Sequence, residues 1–301
     1  MKKLLFTLLF LTFGTAWGGA VEDGQAAFDR KDYTTAIKLW RPLAIQGNAS
    51  AQNNLGRMYS NGQGVTQDNK EAVKWHRLAA EQGYAKAQLS LGWMYGRGLG
   101  VAQDYKEAFK WYKLAADQGN AEAQVNLGVM YSSGQGVAQD DKEAIKWYRL
   151  AAEQGSVGAQ FNLGVMYSSG QGVLQDYKEA IKWYRLAAEQ GYARAQHTLG
   201  FVYNYGEGVL QDYKEAVKWY RLAAEQGHTF AQFSLGTMYD NGWGVTQDYA
   251  RAHMWYNLAS AAGNVASTKN RNIIANKMTP QQIEKAQEMA KACQARNFKG
   301  C

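Results

Sequence analysis

The sequence predicts an all-α protein built as a solenoid of helix-turn-helix repeats, and three regularities predict it. Trp75, Trp111, Trp147, Trp183, Trp219 and Trp255 recur every 36 residues. The Leu-Gly pairs that begin at Leu55, Leu91, Leu127, Leu163, Leu199 and Leu235 keep the same interval. So do the Gly-Val pairs from Gly64-Val65 to Gly244-Val245. Self-similarity at such a period marks a repeat array, because one helix pair cannot bury its apolar face alone and stacked pairs can.

In chain order, residues 1–20 read as a cleaved signal peptide. Lys2 and Lys3 precede the apolar run Leu4 to Phe13, and the small residues before Ala20 offer cleavage after Gly18 or Ala20. The run is short for a membrane span, which needs about 20 apolar residues, and no later segment approaches that length. The expectation is a periplasmic or secreted chain without stable membrane insertion. Without Lys2 and Lys3 the chain carries 31 basic and 26 acidic residues and no block of five basic residues, so nucleic-acid binding is not expected.

Residues 21–47 read as a degenerate helix pair that caps the array. Ala36 and Gly47 align with Ala72 and Gly83, while Leu39 and Trp40 stand where the next unit has Trp75 and His76. Pro42, inside the second helix of that pair, is expected to kink or shorten it.

Residues 48–263 hold six gapless repeats, each reading as two helices. In the unit from Tyr84 to Gly119, small or apolar residues recur through Ala85 to Tyr95 at helical spacing. Gly96 and Gly98 to Gly100 break that helix. Asp104 followed by Glu107 has the signature of a capping box for the second helix. Ala108, Trp111, Tyr112, Ala115 and Ala116 supply the buried stripe of that helix. Gly119 suits a left-handed helix end, and Asn120 is placed to cap the next helix. Small residues such as Ala85, Ala87 and Gly92 let helices approach closely while Trp111 and Tyr112 fill the gaps.

Residues 264–301 form a partial repeat and a capping helix. Thr279-Pro280-Gln281-Gln282 reads as a capping box with Pro in the first turn, opening a helix from Pro280 to about Gln294. Cys293 and Cys301, the two cysteines of the chain, form a close pair that reads as one local disulfide in an exported protein.

These motifs resemble the Sel1-like repeat family, a relative of the tetratricopeptide repeat. The family pattern is Ala-x-Ala-Gln-x-x-Leu-Gly-x-Met-Tyr, a Gly-x-Gly-Val loop, and an Ala-x-x-Trp-Tyr-x-x-Ala-Ala-x-x-Gly close. Here it stands as Ala121 to Tyr131, Gly134 to Val137, and Ala144 to Gly155. The resemblance implies a right-handed α-solenoid and a non-catalytic adaptor role toward a protein or peptide partner, and leaves the oligomeric state open. A cysteine-rich branch of the family has been linked to penicillin binding, so an alternative is a wall-associated protein that binds peptidoglycan or hydrolyses β-lactams. That branch carries a Cys pair within each repeat, and no repeat here contains Cys.

Columns constant across the repeats serve the shared fold, and columns that vary are free for function. Three first-helix columns vary widely: Asn53, Leu89, Val125, Phe161, His197, Phe233; Arg57, Trp93, Val129, Val165, Phe201, Thr237; and Ser50, Lys86, Glu122, Gly158, Arg194, Phe230. By resemblance to tetratricopeptide arrays, these columns face a concave groove. The expected partner groove comprises Leu89, Trp93, Val125, Val129, Phe161, Val165, His197, Phe201 and Phe233, bordered by Arg57, Lys86, Arg97 and Arg194. Such a groove accepts apolar anchors with acidic groups at its basic borders. The Val positions fit a core as well as a groove. A further column, Asn54, Ser90, Asn126, Asn162, Thr198, Ser234, is uniformly small and polar and suits either a ligand backbone or the adjacent helix.

Signals of catalysis are absent. The chain has no Ser-x-x-Lys, Gly-x-Ser-x-Gly, His-Glu-x-x-His or phosphate loop ending in Gly-Lys-Ser/Thr. The recurrent Gly-x-Gly, such as Gly170-Gln171-Gly172, follows no strand and reads as a turn between helices. Of the four histidines, His76 replaces a repeat Tyr and His253 a repeat Val, Ile or Phe, while His197 and His228 fall at variable positions. None has metal-ligand spacing with another. No cofactor, metal site or catalytic residue is expected.

Overall fold

The computed structural model describes residues 19–301, and these are helical throughout with no strand among them. Most of the segment read as a signal peptide therefore lies outside the described residues. The chain divides into two compact units, one ending at Gln154 and the other running from Gly155 to Cys301.

The first unit holds α1 (residues 19–29), α2 (Tyr33–Ile45), α3 (Ala49–Asn61), α4 (Asn69–Glu81), α5 (Ala85–Arg97), α6 (Tyr105–Asp117), α7 (Ala121–Ser133) and α8 (Asp141–Glu153). From α2 onward each helix packs on both its neighbours in sequence within the unit, the arrangement of an all-α solenoid. The second unit repeats this order with α9 (Val157–Ser169), α10 (Tyr177–Glu189), α11 (Ala193–Tyr205), α12 (Tyr213–Ala224), α13 (Thr229–Asn241) and α14 (Tyr249–Ala261). It closes with α15 (Val265–Ala275) and α16 (Pro280–Ala295), both packed on α14.

The helix boundaries follow from local chemistry. The Asp104 carboxylate caps α6, accepting from the N–H groups of Lys106 at 2.9 Å and Glu107 at 3.1 Å. The expected reciprocal bond from Glu107 does not form. The Asp104 N–H is already donated to the Tyr95 carbonyl, and Glu107 turns instead to Lys110 in the next turn. Asn120 caps α7 as expected, accepting from Ala123 N at 2.9 Å. Before α16 the full capping box is present: Thr279 Oγ1 accepts from Gln282 N, and Thr279 N donates to Gln282 Oε1 at 2.8 Å. Pro42 does not shorten α2, which keeps the 13 residues of α4. Pro42 itself is exposed, and its neighbours Trp40, Leu43 and Ala44 are buried, so packing holds the last turn in place.

The core is a series of layers made by the second helix of one repeat and the first helix of the next. Ala72, Val73, Ala79 and Ala80 of α4 meet Ala87, Leu91 and Met94 of α5, and Trp111 of α6 packs against the same layer. Trp75 and Trp147 do the same for the layers before and after. Trp75, Trp111, Trp147 and Trp183 are half-buried, whereas Trp219 and Trp255 are buried, so Tyr112 and not Trp111 is the enclosed aromatic of its repeat. The repeat Trp thus joins one hairpin to the next. Each fully buried Leu of these layers stabilises by about 1.5–3 kcal/mol.

Two glycine positions are dictated by contact. An added Cβ on Gly128 would lie 2.4 Å from Tyr148 Cε1, so the glycine is the seat of the next helix's aromatic ring. In the loop, Gly136 has φ 73° and would place a Cβ 2.2 Å from the Tyr105 carbonyl oxygen. Only glycine fits both the conformation and the space.

A buried glutamine clamp recurs as well. Gln88 donates to the Ala80 carbonyl at 3.1 Å and accepts from Gln118 at 2.7 Å, which ties α5 to the ends of α4 and α6. Gln52, Gln124 and Gln196 repeat both bonds. At the tail, Cys293 and Cys301 form the expected disulfide, and the Phe298 ring between them rests against Gly227.

Candidate functional site

The variable columns lie on the first helices of the repeats, and each unit presents its own set. In the first unit, Arg57, Lys86, Trp93 and Val129 are exposed, while Leu89 and Val125 are half-buried. Trp93 is 46% exposed, an uncommon position for an indole in a folded chain. Helical spacing sets this pattern: Leu91, Gly92 and Met94 turn into the layer core and leave Trp93 outside.

Two pockets flank Trp93. The larger, about 350 Å³, is lined by Arg57, Ser60 and Asn61 of α3, His76 of α4, Leu89, Ser90, Trp93 and Met94 of α5, and Glu122 and Asn126 of α7. The smaller, about 170 Å³, lies on the other side of the indole and includes Arg97, Tyr105, Asn126, Val129 and Gln135. Three expected site residues, Arg57, Leu89 and Trp93, therefore share one pocket, and Val129 shares the second with Trp93. Lys86 and Val125 line neither of these two pockets.

The electrostatics are uneven. The Arg57 guanidinium lies 5.3 Å from the Phe28 ring and forms no ion pair among the described residues. His76 is 2% exposed, its Nδ1 is buried without a hydrogen-bond partner, and burial together with Arg57 pulls its pKa down to about 4. The imidazole is neutral at pH 7, and Arg57 is the positive group of the larger pocket.

In the second unit the expected residues are enclosed to different degrees. Phe161 is buried, covered by Arg194 at 4.9 Å and edged by Tyr192, so Arg194 lies over an aromatic ring. Val165, His197 and Phe233 are half-buried, and Phe201 is 39% exposed with its ring 4.4 Å from that of Tyr205. His197 packs 5.0 Å from His228, and burial first, then His228, lowers its pKa to about 4. Phe230 at 62% and Tyr205 at 62% exposure extend the aromatic surface.

Sequence reasoning missed Ser60, Asn61 and Tyr205, which do not stand in the variable columns it singled out. The replacement of the repeat Tyr by His76 was visible, but its consequence for a pocket was not. Among the described residues no group of three or more His, Cys, Asp or Glu could hold a metal ion, and no helix is long and apolar enough to cross a membrane.

Comparison with known proteins adds to this geometry. Seven consecutive stretches, 18–48, 49–84, 85–120, 121–156, 157–192, 193–228 and 229–264, match the model of the Sel1 repeat. The crystal structure of a Sel1 repeat protein from Oxalobacter formigenes is 38% identical and superposes with a TM-score of 0.74, covering 80% of this chain and 99% of its own. The structure of c5321, a protective antigen present in uropathogenic Escherichia coli strains and displaying an SLR fold, is 29% identical with a TM-score of 0.53. It covers 94% of this chain and 85% of its own. No curated protein sequence matches.

Proposed function

The chain belongs to the Sel1 repeat family, whose members commonly serve as protein-interaction scaffolds, and on that premise we propose that it binds an extended segment of a protein partner through Trp93. Non-catalytic binding is the whole of the activity in this reading. One observation carries it: a large aromatic side chain stands 46% exposed between two pockets on the face that varies between repeats. An exposed aromatic beside cavities is the composition of an interface centre, where one anchor supplies most of the binding energy. Asn126 lines both pockets and its amide makes no hydrogen bond among the described residues, so it is free to pair with a peptide backbone. Phe201 in the second unit, with Tyr205 and Phe230, forms a separate exposed aromatic surface.

The same proposal places the protein outside the cytoplasm after removal of residues 1–20. The Cys293–Cys301 disulfide supports this, since such bonds persist in oxidising compartments. Likeness to a protein described as a protective antigen points the same way.

The test uses a random 12-residue peptide display library panned against the purified protein. Selected peptides should carry an apolar anchor, and Trp93→Ala should weaken them at least about 30-fold, the equivalent of 2 kcal/mol. Far-UV circular dichroism should stay unchanged. Equal binding by a folded Trp93→Ala variant refutes the site.

A further inference from the structure

The larger pocket lies where one repeat departs from the rest. In the fourth repeat of the 48–263 array, the Tyr184 ring lies over Gly164 and its hydroxyl reaches Ser168 Oγ at 3.0 Å. In the first repeat the same positions, 108 residues earlier, are His76, Gly56 and Ser60. The His76 ring sits over Gly56 as the tyrosines sit over their glycines. An imidazole is shorter than a phenol, so it stops before Ser60, and the space a tyrosine hydroxyl would take is left open. Ser60 and His76 both line the resulting cavity of about 350 Å³.

This cavity combines features that a packing defect does not explain. A dry void in a core is apolar, whereas this one is walled by Arg57, Asn61, Ser90 and Asn126 and opens beside Trp93. A nearly buried histidine with an unpartnered Nδ1 lies in its wall. Buried polar atoms without partners are rare in folded chains. The single cation, Arg57, has no acidic partner. Glu122 stands on α7, two repeats from Arg57 on α3, so a negative group is favoured at the Arg57 end only.

Resting on the peptide-binding reading above, we propose that the His76 pocket receives an Asp or Glu side chain of the bound segment, with the Arg57 guanidinium as its charge partner. Asn61 and the Ser60 hydroxyl are the neutral donors within the same wall. The apolar anchor then lies on Trp93, and Glu122 faces a backbone N–H or a basic group farther along the segment. Tyr stands at the equivalent position in the five later repeats, and beside Tyr112 the corresponding pocket holds only about 170 Å³, so the larger opening at His76 favours this register for the ligand.

The experiment takes the peptides selected on the wild-type chain from the 12-residue library and measures their affinity for three full-length variants. His76→Tyr restores the residue used by the later repeats, opposite a glycine and a serine already in place, so it is expected to fold. The expected results are an acidic residue at fixed spacing from the apolar anchor, and a loss of at least 10-fold on His76→Tyr and on Arg57→Gln. Replacing the acidic residue of the peptide by its amide should cost a similar factor on wild type and little on Arg57→Gln. Peptides lacking an acidic residue, or unchanged affinity for His76→Tyr, overturn the pocket assignment. If Trp93→Ala still abolishes binding in that case, the groove reading stands alone. If Trp93→Ala is also silent, the groove reading falls with it.

Discussion

Replacing Gly128 by Ala is the sharpest test of how the hairpins fit together. An alanine Cβ there would lie 2.4 Å from Tyr148 Cε1, 2.5 Å from Cδ1 and 2.8 Å from Cζ. Ordinary contact starts near 3.4 Å, so the ring or the helix must move by about 1 Å. Overpacking a dense core costs about 1–3 kcal/mol, and three ring atoms within 3 Å place this site at the upper end. Alanine returns about 1 kcal/mol of helix propensity over glycine. The net expectation is a loss of about 2 kcal/mol. Gly158, also within a first helix, has nothing within 4 Å of an added Cβ, so Gly158→Ala should gain about 1 kcal/mol. Urea unfolding followed by circular dichroism at 222 nm (a standard helix wavelength, about one reading per 0.1 M urea) compares the two midpoints. Gly128→Ala should turn favourable in a Tyr148→Ala background, where the clash is gone. If Gly128→Ala alone is as stabilising as Gly158→Ala, the glycine does not seat the ring and the packing argument fails.

Two further outcomes follow from the buried polar groups. Gln124 donates to the Ala116 carbonyl at 3.2 Å and accepts from Gln154 at 2.8 Å, so Gln124→Leu should cost about 1–3 kcal/mol by orphaning both partners, read from the same urea titration. His76 and His197 are held near pKa 4 by burial, against about 6.5 in the unfolded chain. Between those values the unfolded state binds more protons, so stability rises with pH through the window and is lost as pH falls from 6.5 toward 4. Each histidine contributes a slope of at most about 1.4 kcal/mol per pH unit. Thermal melts from pH 4 to pH 7 should show this decline, and His76→Tyr should reduce it by one histidine's share. An equal slope in that variant would show that His76 is not buried neutral.

The two results that most depend on tertiary structure also show what the sequence could carry. Many helix boundaries have a local cause: the Asp104 and Asn120 caps, the Thr279 capping box, and the loop glycines at positive φ. Such signals lie within a few residues of one another, which is why the repeat, its period and its helix pairs were legible. The capping box expected at Asp104 and Glu107 failed because its N–H was claimed by Tyr95, nine residues earlier across the loop. Local propensity at Pro42 predicts a kinked or shortened helix, whereas the burial of Trp40, Leu43 and Ala44 that retains the last turn is not local.

From the sequence alone came the all-α repeat architecture, the constant columns that build the layers, the columns that vary between repeats, and the Cys293–Cys301 pair. The tertiary structure decided which side chains of those variable columns are available. It covered Phe161 with Arg194, left Trp93 between two cavities, and opened the larger cavity where His76 stops short of Ser60. The reason is physical: periodicity assigns a residue to a face of its helix, but exposure on that face depends on the size of side chains 16–31 residues away, such as His76 beside Ser60 and Tyr192 beside Phe161.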